Sequence, residues 1–260
     1  MYATIAFLAA QFPPLETARE DGLLCAGGDL RPERLLAAYS CGVFPWYSEG
    51  LPILWWSPDP RCVLPLDAFQ LPVRSVRYLR KHPFRLTHNA AFGAVIRACA
   101  APRKSSDGTW ILQEMVEAYE RLHTMGYAHS IEAWDADNRL AGGLYGVALG
   151  QAFFGESMFH IQSEASRAAL VGLVDLLRLR GAMLLDCQQE TPHIMRMGGT
   201  LLPRAEFLKR LHTALRFPVP KGEQGSLLQR SSTQAAADAW DVWEPWDCRY
   251  AWSTSGWFRS

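Results

Sequence analysis

The sequence predicts an α+β or α/β fold, because strand patterns and helix patterns follow one another from residue 129 in the order β-β-β-α-β-α. The predicted strands cover 129–134, 140–148, 151–157 and 182–188. A long amphipathic helix over 163–180 separates the third strand from the fourth, so the fourth strand is reached by a helical crossover. Gly142, Gly143 and Gly146 lie within the second strand, where their missing side chains permit a close approach of other atoms.

Further helices are predicted before and after this core from apolar residues at helical spacing. They cover 32–40, 73–82, 90–100, 112–125 and 203–215. Asp29 is placed to cap the first of them, and Ser163 is placed to cap the long crossover helix. Gly181 is suited to end the crossover helix, because glycine adopts the left-handed backbone that follows many helices.

Composition limits the possible partners. Of the 260 residues, 26 are basic and 26 acidic, so the overall charge does not indicate a nucleic-acid-binding protein, and any such surface must be a local patch. Six cysteines form no Cys-x-x-Cys pair and do not cluster with histidines, so the sequence predicts reduced thiols in a cytosolic protein and no metal site. We expect neither a signal peptide nor a membrane span, because no apolar run is long enough to cross a bilayer and the apolar N-terminus lacks a basic segment.

The predicted strand 182–188 carries the most informative residues. Asp186 and Gln188 share one face of this strand with Leu184, while Leu185 and Cys187 point to the other face. A carboxylate and an amide on an otherwise apolar strand are costly unless they are satisfied. Glu156 stands in a similar setting in Phe154-Gly155-Glu156-Ser157-Met158. Two interpretations remain open here: a structural network that joins strands, or a functional site.

The helix 73–82 carries the densest positive charge of the chain. Arg74, Arg77, Arg80 and Lys81 lie opposite a stripe of apolar residues. Such a surface is either a solvated face or a patch for the phosphate backbone of a nucleic acid.

Several kinds of chemistry find no support in the sequence. It contains no Gly-x-Ser-x-Gly, no His-Glu-x-x-His and no P-loop. Tyr119, His123 and His129 have the surroundings of structural residues. A carboxylate and an amide on neighbouring strands are suited to orienting and deprotonating an amine. In acyl-coenzyme A transferases a glycine-rich loop precedes the long helix, whereas here the junction 159–167 contains no glycine, which argues against coenzyme A as the donor.

At this point the chain resembles a known family, the leucyl/phenylalanyl-tRNA–protein transferases. The motifs that carry the resemblance occur in order between about residue 10 and residue 216. They are Phe44-Pro45-Trp46, Leu54-Trp55-Trp56-Ser57-Pro58-Asp59-Pro60-Arg61, Gly108-Thr109-Trp110-Ile111, His129-Ser130-Ile131-Glu132, Gly142-Gly143-Leu144-Tyr145-Gly146-Val147, Gly155-Glu156-Ser157-Met158-Phe159 and Asp186-Cys187-Gln188.

The resemblance implies an activity and a domain organisation. The family transfers leucine or phenylalanine from leucyl-tRNA or phenylalanyl-tRNA to proteins with an N-terminal Arg or Lys, which marks them for degradation by the N-end rule. It implies a small N-terminal α/β domain over 1–62 and an acetyltransferase-like (GNAT-like) catalytic domain over 63–216. A low-complexity, Trp-rich tail then covers 217–260, and its part beyond about residue 235 has no counterpart in the family. No cofactor and no metal are implied, and a cytoplasmic monomer is expected.

The resemblance also implies roles for particular residues. Asp186 and Gln188 match the catalytic pair, with Asp186 as the charged partner and Gln188 as an orienting hydrogen bonder, and Glu156 suits the incoming cationic acceptor. Trp46 and Trp110 are candidates for stacking on the terminal adenosine or on an aromatic donor side chain. Arg74, Arg77, Arg80 and Lys81 would hold the acceptor-stem phosphates of the tRNA. The expected apolar pocket for the leucine or phenylalanine side chain consists of Leu144, Phe153, Met158, Leu170, Val174 and Leu185.

Two points stay open at this stage. Leu185 lies on the strand face opposite Asp186, so it contributes to the donor pocket only if the strand twists or ends there. Two other functions also compete with the aminoacyl transferase: an ordinary acyl-coenzyme A N-acyltransferase, and a tRNA-binding or peptide-binding module without turnover.

Overall fold

The N-terminal part folds around a small antiparallel sheet. The computed structural model describes residues 2–101 and 111–216 and the backbone of 246–247. The first elements are helix α1 (Tyr2–Ala9), strand β1 (Leu23–Ala26), helix α2 (Pro32–Ser40), strand β2 (Phe44–Pro45) and strand β3 (Leu54–Trp56). The three strands pair in the order β1-β3-β2.

Helix α2 begins as its sequence predicts, with Pro32 in the first turn, but its predicted cap is wrong. The carboxylate of Asp29 accepts a hydrogen bond from the backbone N–H of Arg31 at 3.0 Å. Arg31 is the residue that precedes the helix, so Asp29 closes the turn before α2 and leaves the N–H groups of the first helical turn to other partners.

The remaining elements form one large sheet with helices on both faces. They are β4 (Arg61–Val63), α3 (Val73–Lys81), β5 (Arg85–His88), α4 (Phe92–Ala100), α5 (Gln113–Thr124), β6 (Ala128–Trp134), β7 (Leu140–Leu149), β8 (Ala152–His160), α6 (Ala165–Leu179), β9 (Leu184–Gln188), α7 (Pro192–Met195), β10 (Thr200–Leu202), α8 (Arg204–Arg216) and β11 (Trp246–Asp247). The strand order is β10-β4-β9-β8-β7-β6-β5-β11.

The α+β class and the order β-β-β-α-β-α from residue 128 are confirmed. Strands β6, β7 and β8 form an antiparallel meander, and β9 returns parallel to β8 because α6 carries the chain back across the sheet. The flanking strands β4, β5 and β10 were not predicted. They contain only three or four residues each, too few for a period-2 pattern to be visible in the sequence.

Two apolar layers hold the sheet. On one face, α6 packs in a cluster that includes Leu144, Phe153, Leu170 and Leu185. On the other face, α4, α5 and the N-terminal part share a second cluster that reaches Leu184. The alternation predicted for β9 is therefore confirmed between Leu184 and Leu185.

Helix α6 lies unusually close to the sheet at its start. A Cβ atom on Gly142 of β7 would lie 2.7 Å from the Cβ of Ala165, so the absent side chain makes room for the first turn of α6. The helix begins at Ala165, and the residue before it is Glu164, with a left-handed φ of 68° and no side-chain cap. The prediction that Ser163 caps this helix is wrong.

One buried carboxylate in the sheet has a structural role. Glu132 of β6 is fully buried and accepts hydrogen bonds from the hydroxyls of Thr87 and Ser130. It also accepts from the backbone N–H groups of residues 90 and 91, directly before α4. Because four donors satisfy it, Glu132 ties β5 and β6 to the start of α4.

Two predictions can be followed only in part. Among the described helices, none combines the length and the apolarity that a bilayer crossing demands. The predicted tail over 217–260 lies outside the described residues except for 246–247, whose backbone pairs with β5 at the edge of the sheet.

Candidate active site

Glu156 lies in a β-bulge of strand β8. Tyr145 of β7 pairs with Ser157 and the next residue, Gly146, pairs with Gly155, so Glu156 is the extra residue of β8 at this point. A bulge re-aims the side chain of the inserted residue and breaks the alternation of faces. Residues four positions apart on a regular strand point to the same face. Because of the bulge, Phe154 instead packs in the cluster formed with α4, α5 and the N-terminal part, whereas Met158 packs beside α6 on the other face.

A second irregularity lies on the neighbouring strand. Cys62 of β4 pairs with Gln188 and Val63 pairs with Asp186, so Cys187 has no partner of its own on β4. Gln188 has a left-handed φ of 63°, which is uncommon for a residue other than glycine and typical of functional sites. Its backbone N–H donates to Oδ1 of Asp186 at 2.8 Å, which holds this conformation.

The predicted trio comes together at these two bulges. Nε2 of Gln188 donates to Oε1 of Glu156 at 2.8 Å, so the amide and the carboxylate meet side by side. The other end of the amide, the carbonyl oxygen, is the end that can accept a hydrogen bond from an amine. Glu156, Asp186 and Gln188 are all at least nine-tenths buried.

Two tyrosines continue the hydrogen-bonded chain behind Glu156. The hydroxyl of Tyr119 in α5 donates to Oε2 of Glu156 at 2.9 Å, and it is itself hydrogen-bonded to the hydroxyl of Tyr39 in α2. Tyr119 thus touches the candidate site, although its sequence setting indicated only a structural role. Both rings are fully buried, and burial together with the charge of Glu156 raises the pKa of both hydroxyls well above the usual range.

Glu156 can exchange a proton near neutral pH. Burial raises the pKa of its carboxyl to about 7, and the nearby charge of Asp186 adds to this. Hydrogen bonds from the two tyrosines and from Gln188 act in the opposite direction, because they stabilise the carboxylate. A carboxyl with this pKa can be present in either form at neutral pH.

Asp186 has a different environment, which no local pattern in the sequence indicates. Its two oxygens accept from Nε and a terminal nitrogen of Arg61 at 2.9 and 2.7 Å, and the pair is 0% and 1% exposed. Oδ1 also accepts the backbone N–H of Gln188. The carboxylate of Asp186 therefore faces Arg61 and the backbone of its own strand.

Arg61 joins three parts of the chain. Its remaining terminal nitrogen donates to the carbonyl oxygen of Gly42 at 3.0 Å. Its guanidinium lies between the rings of Phe44 and Phe207, at 4.8 and 4.6 Å from their centroids. The N-terminal part, strand β9 and helix α8 thus meet at one buried cation. The Pro60-Arg61 pair was visible in the sequence as part of a motif, but its partner 125 residues away was not.

Another buried hydroxyl lies beside the trio. The hydroxyl of Tyr145 is buried and has no hydrogen-bond partner among the described residues. Its ring packs edge-on against Tyr119, 5.6 Å between centroids, and the charge of Glu156 adds to the effect of burial in raising the pKa of this hydroxyl. An unpaired polar group at this place is costly in a folded protein unless a ligand satisfies it.

The six residues predicted for the donor pocket occupy one region. Leu144, Phe153, Leu170, Val174 and Leu185 belong to the apolar cluster between the sheet and α6, and each is buried. Met158 is half-buried and packs against the same cluster. The cluster lies on the face of the sheet opposite Leu184 and Tyr145, so the strand does not twist enough to bring Leu185 beside Asp186.

The predicted tryptophans are only partly described. Trp46 is 37% exposed and packs against Trp56 at 5.4 Å between ring centroids. The indole N–H of Trp56 donates to the backbone carbonyl of Trp46, which fixes this corner. Trp110 lies outside the described residues.

The four basic residues of α3 form an exposed surface. Arg74, Arg77, Arg80 and Lys81 are exposed, while Ser75 and Leu79 on the other side of the helix are buried. The helix stands between β4 and β5 in the chain. The predicted exposed basic face is confirmed, and its partner stays a prediction. Of the predicted apolar stripe only Leu79 is buried, since Val73 is 67% exposed.

The fold and the site define a class of protein. A mixed sheet carries, on two neighbouring parallel strands, a carboxyl with a pKa near neutrality and an amide held beside it. This is the equipment of an enzyme that orients an amine and acylates it.

Comparison with known sequences names the family. A model described as "Leucyl/phenylalanyl-tRNA protein transferase" matches residues 63–212, and one described as its N-terminal domain matches residues 28–59. The chain belongs to the leucyl/phenylalanyl-tRNA–protein transferase family, and the expected membership is confirmed.

Individual relatives agree along most of their length. The chain is 57% identical over 205 residues to the leucyl/phenylalanyl-tRNA–protein transferase of Lawsonia intracellularis, an alignment that covers 78% of this chain and 90% of the relative. It is 55% identical over 216 residues to the corresponding protein of Syntrophotalea carbinolica, with 82% and 94% covered. Among solved structures, L-PGS from Bacillus licheniformis matches with a TM-score of 0.37 and 8% identity, over 61% of this chain and 52% of that one.

Proposed function

We propose that this aminoacyltransferase moves leucine or phenylalanine from its tRNA to the amino group of a protein that begins with Arg or Lys. The observation that carries the proposal is the pair formed by Gln188 and Glu156, an amide fixed beside a carboxyl with a pKa of about 7. We further propose that the chain acts in the cytoplasm as a monomer, within the N-end rule, and needs no cofactor.

The reaction forms one bond and breaks one. The nitrogen of the acceptor attacks the ester carbonyl carbon of the donor, so a C–N bond forms and the C–O bond to the terminal ribose breaks. An N-terminal ammonium has a pKa of about 8, so it loses its first proton readily at neutral pH. A second proton passes from nitrogen to the departing ribose oxygen. The ester is activated already, so no ATP is consumed.

Within this proposal the trio divides the work. Glu156 receives the hydrogen bond of the Gln188 amide and turns the carbonyl oxygen of that amide toward the incoming amine. The negative charge of Glu156 also favours a cationic acceptor over an acidic one. Asp186 acts as a positioning residue, because its contacts are with Arg61 and with the backbone N–H of Gln188.

The donor side chain is assigned to the apolar cluster beside α6. A leucine or phenylalanine side chain would enter next to Met158, which is half-buried, packs against the cluster and pairs with Leu144 across the sheet, and would displace it. Methionine is flexible enough to admit two shapes. Trp46 and Trp110 are proposed to stack on the terminal adenosine or an aromatic donor side chain.

We propose the division of the chain into 1–62, 63–216 and a tail over 217–260. One detail qualifies the first boundary: β4 begins at Arg61 and pairs with β9 and β10 of the large sheet. Arg61 and Cys62 therefore contribute to the catalytic sheet although they stand at the end of the N-terminal segment.

A transfer assay tests the proposed function. The full chain, phenylalanyl-tRNA carrying a labelled amino acid and a peptide with N-terminal Arg should yield labelled peptide, whereas a peptide with N-terminal Glu should stay unlabelled. Transfer from acetyl-coenzyme A to the same peptide would instead support an acyl-coenzyme A enzyme. Binding of tRNA without transfer to any peptide would support a binding module.

The basic face of α3 gives a separate prediction. Replacing Arg77 and Arg80 by Glu should weaken binding of the donor tRNA and reduce the slope of log affinity against log salt by roughly one for each lost phosphate contact. Filter binding at several salt concentrations measures both effects.

A control with the same change of charge separates this effect from general repulsion. Arg121 and Lys209 are also exposed but lie on α5 and α8, and their replacement by Glu should leave the salt slope unchanged. If both double variants lost the same affinity for the donor tRNA, the basic face of α3 would be a solvated surface without a role in binding.

A further inference from the structure

Three buried polar atoms near the site lack partners in the described part of the chain. They are Oε2 of Glu164, Nε of Arg167 and Nε2 of His193. Glu164 and Arg167 form an ion pair through their other atoms, and the side chain of Glu164 is 10% exposed. An unmade hydrogen bond at a buried atom costs free energy, so three such atoms together indicate a missing ligand.

The three residues follow the C-terminal ends of β8 and β9, the two strands that carry the trio. Glu164 and Arg167 stand at the start of α6, which follows β8, and His193 belongs to α7, which follows β9. Strands β8 and β9 are parallel, so the segments that follow them leave the sheet at the same end of the two strands. Ile194 of α7 and Leu170 of α6 pack in one apolar cluster, which brings the two helices together.

The charge around His193 is mainly positive. After burial, the guanidinium groups of Arg167 and Arg196 are the strongest influences that lower the pKa of His193, and they outweigh the opposite effect of Glu164. His160 acts in the same direction as the two arginines. The imidazole is therefore neutral at pH 7, and one of its nitrogens can donate to an anion.

We propose that Glu164, Arg167 and His193 bind a nucleotide of the single-stranded 3′ end of the donor tRNA, adjacent to the terminal adenosine. A nucleotide offers a phosphodiester that accepts from Nε of Arg167 and from His193, and ribose hydroxyls that donate to Oε2 of Glu164. The inference rests on the proposed function, because it adds a binding subsite for the same donor.

The alternative occupant is the second residue of the acceptor peptide, whose amide group also offers one donor and one acceptor. Two guanidinium groups against one carboxylate favour an anion, while the acceptor carries a positive charge at its N-terminus and in its first side chain. The charge of the cluster therefore selects the nucleotide.

Comparing two donors for the full chain tests the subsite. Phenylalanyl-tRNA contains the nucleotide, and 3′-phenylalanyl-adenosine, which carries the same ester, lacks it. In Arg167→Gln we expect the KM for phenylalanyl-tRNA to rise about 10- to 100-fold, the effect of losing charge-assisted hydrogen bonds. The KM for 3′-phenylalanyl-adenosine and that for the acceptor peptide should stay within twofold of wild type.

Two further variants complete the test. His193→Gln should show the same split between the two donors, with a smaller rise. Arg97→Gln is the matched control, because Arg97 is an exposed arginine of α4 that also pairs with a glutamate, and it should change neither donor's KM. Thermal unfolding of each variant shows that the protein is folded.

Several results would overturn the subsite. Equal rises for both donors would make Arg167 a structural residue, and a rise confined to the peptide KM would assign the cluster to the acceptor. Unchanged constants in both variants would mean that the cluster binds nothing during the reaction. Failure of the proposed function is distinguishable, because the wild-type protein would then transfer from neither donor.

Discussion

Replacing Arg61 by methionine should lower the free energy of unfolding by about 3–5 kcal/mol, because it leaves the carboxylate of Asp186 buried without a counter-ion. The carboxylate is 0% exposed, so water cannot take the place of the guanidinium without opening the fold. The change also removes the hydrogen bond to Gly42 and the stacking between Phe44 and Phe207. Urea denaturation, followed by tryptophan fluorescence, measures the loss.

A double variant separates the charge from the packing. In Arg61→Met with Asp186→Leu neither charge of this pair remains, and apolar replacement of a whole buried pair is often neutral or stabilising, so much of the lost stability should return. Transfer activity should not return, because the backbone N–H of Gln188 has lost the acceptor that holds its left-handed conformation. Full activity in the double variant would contradict the positioning role of Asp186.

Arg97 provides the comparison for an exposed pair. Its contact with Glu120 is 2.6 Å long, but the arginine is 63% exposed. Arg97→Met should cost less than about 1 kcal/mol, as exposed pairs usually do. A similar loss in both arginine variants would mean that burial of the Arg61 pair is not the cause.

Replacing Glu156 by glutamine should reduce kcat by roughly 10²-fold, the usual cost of a misplaced reacting group, because Gln188 loses the carboxylate that orients its amide. Wild-type activity should rise with pH through about 7, as Glu156 ionises and gains the ability to accept from Gln188, and again near 8 as the acceptor amine loses its proton. The Gln variant should lack the lower rise and keep the upper one. A pH profile of kcat with a saturating acceptor measures this difference.

The pKa of Glu156 also predicts the pH dependence of stability. Its folded value of about 7 lies above the ordinary 4.5, so between these two values the unfolded chain binds fewer protons than the folded one. The contribution of Glu156 to the free energy of unfolding is therefore fully present below about pH 4.5 and is lost as pH rises through 7. Glu156→Gln should remove this decline in the free energy of unfolding. Denaturation at several pH values measures it, and a decline that persists in the variant would contradict the assignment to Glu156.

Tyr119 offers a graded version of the same test. Its hydroxyl stabilises the ionised form of Glu156, so Tyr119→Phe should raise the pKa of that carboxyl and move the lower limb of the pH profile above 7. Tyr47→Phe is the matched control, because Tyr47 is also buried and its hydroxyl donates to a different carboxylate, that of Glu114. An unmoved limb in Tyr119→Phe would assign that limb to another group.

Local sequence patterns were sufficient to predict the main helices and strands and to predict which residues of an element share a face. Apolar spacing located α5, α6 and α8 to within two residues, and the alternation of Leu184 and Leu185 placed them on opposite faces of β9. Such patterns depend only on neighbours along the chain, which is why the sequence reveals them. Helix caps were less predictable, since the backbone conformation at Glu164 and the turn at Asp29 depend on contacts outside the helix.

The sequence by itself determined the family, the α+β order and the three polar residues at 156, 186 and 188. Only the tertiary structure decided what each of them touches. Bulges at Glu156 and Cys187 arise from the pairing of β8 with β7 and of β9 with β4, and no local signal marks an inserted residue. Arg61 and Asp186 are 125 positions apart, and their contact follows from the order of strands in the sheet. Long-range pairing therefore decided that Glu156 contacts Gln188 and Tyr119, whereas Asp186 contacts Arg61.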